Sequence, residues 1–232
     1  MNQTDQLIKV GMAYNDAILN LKEDHPEEVS KILIILDSVC LDSDYHFGIY
    51  IEEICHERRI TNQCEQSWFH CYQGKEEPIM RRPYNYWKWD DDGNMNMLFL
   101  RKTFGIFKHI SVKATPMGAW QAYLLCISKA ILPFSGTLYY TKRKLIFTDK
   151  QLKDLASSLG EEEAPGLSSL NVDVSPTVTI NGKNAIITCC YWTEWGGLIR
   201  DEAKLTFYNN GKVKIGNIDT YTLYEYDIGV RF

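Results

Sequence analysis

The sequence predicts an α+β protein: a helical N-terminal third, a central core helix with hairpins, and a C-terminal antiparallel β-meander. Three observations predict it. Before residue 80, apolar residues recur at helical spacing. Thr115-Pro116 opens a stretch that is apolar on nearly every side, the mark of a core helix. From residue 171 onward, short β-prone runs alternate with turn residues, among them Asn181-Gly182 and Asn209-Asn210-Gly211.

The first helix places Leu7, Val10, Tyr14, Ile18 and Leu21 on one face. Asp24-His25-Pro26-Glu27-Glu28 restarts the chain as a second helix: Asp24 can cap, Pro26 suits the first turn, and carboxylates favour the positive helix end. Val29, Ile32, Leu33, Leu36 and Val39 form its apolar face. Asp42 or Ser43 is expected to cap a third helix carrying Phe47, Ile51, Ile54 and Arg58, although Gly48 and β-branched residues sit inside it. Thr61 is expected to cap a fourth, with Cys64, Trp68 and Cys71 on one side.

The style changes near residue 78. Tyr84 to Trp89, the turn Asp90 to Asn94, and Met95 to Leu100 read as a hairpin, and Phe107 to Ala114 as a strand. Helix 116–131 follows, capped by Thr115 and stopped by Pro133. Leu138-Tyr139-Tyr140 and Leu145-Ile146-Phe147 suggest a short hairpin. Thr148 and Gln151 fit a capping box, and Gly160 is placed to end the helix it opens. Thr177 to Ile180 and Ala185 to Trp192 form one hairpin; Ala203 to Tyr208 and Lys212 to Ile218 form the next, with a last strand or two in 220–232. Residues 161–170 have the composition of a linker between a mixed region, 1–160, and a β region, 171–232, packed on it; a single domain fits the sequence equally.

Charge is sorted along the chain. Residues 1–80 hold 6 Lys and Arg against 15 Asp and Glu, residues 81–160 hold 13 against 5, and residues 161–232 hold 6 against 10. The whole comes to −5. Such blocks either neutralise one another on folding or present charged faces to partners. The N-terminus has neither a basic flank nor an apolar h-region, and no run approaches transmembrane length, so a cytoplasmic protein without a membrane partner is expected. Seven cysteines with no framework spacing fit free thiols in a reducing compartment.

No catalytic signature is present, nor any cofactor motif. Cys40, His46, Cys55, His56, Cys64, His70 and Cys71 are ligand types for zinc, but they lack the close C-x2-C pairs of structural sites, so packing is the expectation. Asp90, Asp92 and Asn94 start like a calcium loop, yet Met95 and Arg101 stand where Gly and Glu are required. Cys189 and Cys190, adjacent on a strand, should face opposite sides as packing residues.

The expected function is therefore non-catalytic binding of another protein, basic in charge, in one version as an inhibitor of the toxin-neutralising kind. Its acidic helical surface would include Glu27, Glu28, Glu52 and Glu53, since acidic faces speed the capture of basic partners. Trp192, Glu194 and Trp195, beside Gly196-Gly197, form a second candidate contact. The alternative is single-stranded nucleic-acid binding through segment 81–113, where Arg81, Arg82 and Lys88 interleave with Tyr84, Tyr86 and Trp87 to hold phosphates and stack bases. The acidic pI of about 5.6 weighs against it.

Overall fold

The structure, a computed structural model, describes residues 2–22, 28–54, 64–74, 79–84, 106–132 and 142–226. Its elements, in chain order, are α1 (Gln3–Leu19), α2 (Glu28–Ile35), β1 (Val39–Leu41), β2 (His46–Ile54), β3 (Cys64–Tyr72), β4 (Ile79–Tyr84), β5 (Ile110–Val112) and α3 (Pro116–Ile127). There follow β6 (Lys144–Ile146), α4 (Asp149–Leu159), β7 (Thr177–Asn181), β8 (Asn184–Thr193), β9 (Gly197–Phe207) and β10 (Val213–Tyr224). Helices lead, antiparallel strands close the chain, and the α+β expectation holds.

Helix α3 is the centre. Every residue from Gly118 to Ile127 is buried, and Thr115 caps it by accepting the Gly118 N–H, with Pro116 in the first turn. A helix apolar all round must be covered all round, and its neighbours do that: α1 and α2 supply Leu7, Tyr14, Ile18, Val29 and Ile32, and the large sheet supplies Ile187, Ala203 and Leu205. Each such aliphatic side chain, fully buried, contributes about 1.5–3 kcal/mol. Polar handles fix the register. The Trp120 indole N–H donates to the Leu7 carbonyl at 2.9 Å, the Tyr14 hydroxyl to the Leu124 carbonyl at 2.9 Å, and the Gln121 amide oxygen accepts the Ser38 N–H at 2.7 Å.

The large sheet runs β10-β9-β8-β6, with β7 also paired to β8. Strand β8 is its spine: β9 lies along one edge, while β7 covers the first half of the other edge and β6 the second. Both faces are covered. Ala185, Ile187, Cys189 and Tyr191 face α3, whereas Cys190 and Trp192 face a second core with Ile146, Leu152, Leu155 and Leu198. Cys189 and Cys190 do fall on opposite faces. The second core is roofed by α4, closed at its start by the Thr148–Gln151 capping box and at its end by Gly160, and by Ala164 and Leu167 of segment 161–170. That segment packs as part of the body instead of crossing solvent. Both predicted C-terminal hairpins are present, and the final strand is a continuation of β10 as far as Tyr224.

Corrections fall on the first half. The expected third and fourth helices are the strands β2 and β3, paired antiparallel from His46↔Tyr72 to Ile54↔Cys64. The i, i+4 spacing of Phe47 and Ile51 mimics a helix, but Phe47, Ile49 and Ile51 also alternate at period two. β-branched and aromatic side chains suit a pleated surface, and Gly48 weakens a helix. The expected strand 107–114 is a 3-10 turn, Ile106–Lys108, followed by the short β5, which pairs with β1. Strand β4 runs parallel to β2, and the remainder of the hairpin expected at 84–100 lies outside the described residues. Leu145 and Ile146 belong to β6, whose partner is β8; residues 138–140 lie outside the described residues. Helix 116–131 ends as α-helix at Ile127 and tightens to a 3-10 turn over Ser128–Ala130.

Opposite charges meet across the thirds of the chain. Lys212 binds Asp42 at 2.8 Å, Lys113 donates to the Asp37 carbonyl at 3.1 Å, and Arg143 reaches Asp201. Among the described residues no helix is long and apolar enough to cross a membrane.

Candidate functional site

Three places hold the residues that chemistry could use. The first is the outer face of the three-stranded sheet β3-β2-β4. Because strand side chains alternate, Phe47, Ile49 and Phe69 enter the core, while His46, Tyr50, His70 and Tyr72 line the opposite face. The rings are contiguous. His46 and Tyr72 lie 5.4 Å apart between centroids, His70 and Tyr72 5.2 Å, and Tyr50 and His70 6.1 Å. His46 is exposed and the other three are half-buried. Gly48, opposite His70, adds no side chain to the row.

The register of β4 brings the basic segment to the same sheet: Arg82 stands beside Glu52 and Tyr84 beside Ile54, in the row that continues from Tyr50. Arg81 stands beside Ile51 in the other row. Tyr86, Trp87 and Lys88 lie outside the described residues, as does Glu27. Glu52 and Glu53 are on β2, so they belong to a sheet and not to the helical surface expected of them. Glu28 does begin α2, where it pairs with Lys31 at 3.2 Å.

The second place is the β8–β9 turn. Here Trp192, expected at a contact surface, is only 4% exposed. It packs against Tyr224 and Tyr226 with centroids 6.2 and 4.9 Å away, and the Tyr224 hydroxyl donates to the Pro165 carbonyl at 3.0 Å. The large sheet is covered on this side too, so Trp192 is a core residue. Glu194 and Trp195 occupy the half-buried turn itself. Burial, with Glu163 and Glu194 nearby, raises the Tyr226 hydroxyl above its ordinary range.

The third place was not anticipated. Asp201 of β9 is fully buried, on the face directed at α3. One carboxylate oxygen accepts both the Tyr123 hydroxyl, at 2.9 Å, and an Arg143 N–H, at 2.5 Å. The Arg143 guanidinium, its side chain 21% exposed, lies 4.0 Å over the Tyr191 ring. The other carboxylate oxygen has no hydrogen-bond partner among the described residues. Burial, then the neighbouring Cys189 and Asp201, pushes the Tyr123 phenol well above its usual range. A buried ion pair with this geometry ties α3, the approach to β6, and β9 together.

Cys40, Cys71, Cys126, Cys189 and Cys190 are free thiols; Cys40 is exposed, and Cys126, Cys189 and Cys190 are buried. Cys71 donates to the Ile106 carbonyl at 3.8 Å, and burial pushes both Cys71 and Cys126 up to about 12. A group that holds its proton more tightly when folded favours the native state only while the unfolded chain would also be protonated. Stability is therefore expected to be level below the ordinary thiol value of 9.0 and to fall as pH rises from there toward about 12. Urea titrations at stepped alkaline pH check this; a midpoint that does not move over that window contradicts it.

No protein-family model matches the chain, and neither does any curated protein or solved structure. The class that fold and site define is an α+β protein with a ring-lined sheet face.

Proposed function

We propose that the protein is a non-catalytic binding protein whose partner is another protein, engaged through the outer face of β3-β2-β4; neutralisation of a toxin-like partner is one form of this. The observation that carries the reading is the row His46, Tyr72, His70 and Tyr50, held ring beside ring on a two-stranded ladder. Rigid amphipathic rings give contact area at low cost in side-chain entropy and concentrate binding energy at protein interfaces. Five free thiols among the described residues support a reducing, cytoplasmic setting.

The experiment is a pull-down from a lysate of the source cells with wild type and with Tyr50→Ala/Tyr72→Ala, both shown to melt alike. Retention of one protein by wild type alone supports the reading; identical retention by both overturns it.

The single-stranded nucleic-acid reading keeps one specific observation in its favour: Arg82 and Tyr84 share the register row of Tyr50. Ring stacking with a nearby cation is how such strands are held. Anisotropy of a labelled oligothymidylate decides it, because real binding weakens steeply with added salt.

A further inference from the structure

We infer that Asn181 is a site of spontaneous covalent modification, its side-chain amide closing on Gly182 and reopening as aspartate or isoaspartate, and that the fold exempts the second pair of the same kind, Asn210-Gly211. The inference is independent of the binding face on β3-β2-β4.

The chain holds two Asn-Gly pairs, Asn181-Gly182 and Asn210-Gly211. Glycine leaves the peptide nitrogen after the Asn unshielded by any side chain. That nitrogen can give its proton to hydroxide and attack the Asn Cγ. An N–C bond forms and the Cγ–Nδ2 bond breaks. The departing nitrogen takes a proton from water, leaves as ammonia and returns the hydroxide. Water then opens the five-membered imide at either carbonyl. One opening gives aspartate. The other gives isoaspartate, in which the main chain runs through Cβ and Cγ. One water is consumed and one ammonia released.

The fold separates the two pairs. At Asn210 both reacting groups are held. The Asn210 Oδ1 accepts the Lys212 N–H at 3.2 Å. The Gly211 N–H donates to the Tyr208 carbonyl at 3.0 Å, and the Gly211 carbonyl accepts the Val112 N–H at 2.8 Å. A Cβ on Gly211 would stand 3.5 Å from the Ser111 Cβ, so this peptide lies against β5. Asn181 and Gly182 are exposed, and a Cβ on Gly182 would meet nothing within 4 Å. Among the described residues neither the Asn181 side chain nor the Gly182 N–H has a hydrogen bond. Nitrogen and amide are therefore open to water and free to approach each other.

The product matters because of where the turn sits. Gly182-Lys183 is a two-residue turn between the paired Asn181 and Asn184, and the length of such a loop sets strand register. Isoaspartate adds a backbone atom there. Strand β7 pairs with β8 alone, and its Val178 carbonyl holds Gln3 of α1. Slack in the turn is thus passed to β7 and to the start of α1.

The test is storage of the full chain at mildly alkaline pH and 37 °C, with peptide mapping by mass spectrometry that resolves isoaspartate. Asn181 is expected to convert at least about tenfold faster than Asn210, since two backbone bonds must break before Gly211 can attack. In guanidinium chloride, where no turn survives, the two are expected to convert at similar rates. Equal rates in the folded chain overturn the inference. So does an Asn181 that reacts only after unfolding, which would mean that the turn itself protects it. Hydrogen exchange checks the consequence: β7 amides are expected to exchange faster in the isolated isoaspartate form than in Asn181→Asp, which carries the same charge on a normal backbone. Equal exchange would show that the turn absorbs the extra atom, and would overturn the slackening of β7.

Discussion

Replacing Asp201 with alanine is expected to cost about 3–5 kcal/mol of folding stability, because removing one member of a buried ion pair leaves the other without compensation. Asp201 is wholly buried, its partner Arg143 is half-buried, and Tyr123 shares the same carboxylate oxygen. Three elements therefore lose a common anchor in one substitution. Urea unfolding of wild type and Asp201→Ala gives the value. The companion Asp201→Leu/Arg143→Met, which removes both charges and refills the space, is expected to recover most of the loss, since apolar replacements of buried pairs are often neutral or better. A single variant within about 1 kcal/mol of wild type would mean that solvent reaches the pair after all.

Gly197→Ala is expected to be comparably severe, and for a different reason. Gly197 opens β9 just past the β8–β9 turn with φ of 77°, a conformation that costs an L-residue about 1 kcal/mol. A Cβ there would also stand 2.1 Å from the Tyr224 carbonyl oxygen and 2.7 Å from the Tyr226 nitrogen. Backbone cannot step aside as a flexible side chain can, so β10 must shift or its pairing must break. Gly182→Ala separates the two effects. That residue has φ of 59° with open space around it, so only the conformational cost of about 1 kcal/mol applies. Equal melting temperatures for the two variants would contradict the steric account.

What could be read from the residues alone was whatever local chemistry decides. Thr115-Pro116, the Thr148–Gln151 box and Asn181-Gly182 each specify a start or a turn within a few positions, and each stands where expected. Strands β2 and β3 read as helices from sequence because Phe47 and Ile51 satisfy helical and strand periods at once. The tie is broken only by pairing with residues that are distant in sequence. Strand β4 lying parallel to β2, and β1 meeting β5 some 70 residues later, are likewise decided by tertiary contacts.

Asp201 was hidden by its neighbours. Arg200-Asp201-Glu202 looks like a solvated charge run, yet Phe207, Leu205 and Ala203 carried back by twos reach Asp201 on the inward side. That parity was the available signal. Trp192 erred the other way: strand alternation suggested one exposed face, but α4 and segment 161–170 cover it. The ring row needed both strands before His46, Tyr50, His70 and Tyr72 could be seen to share a side.

The bonds that seat α1 have a consequence for biosynthesis. Trp120 holds Leu7, Leu124 holds Tyr14, and the Val178 carbonyl accepts the Gln3 amide at 2.9 Å. Closing such long loops is entropically slow. On the ribosome, α1 emerges before α3 and β7, the elements that hold it, with its oily stripe meanwhile open to chaperones.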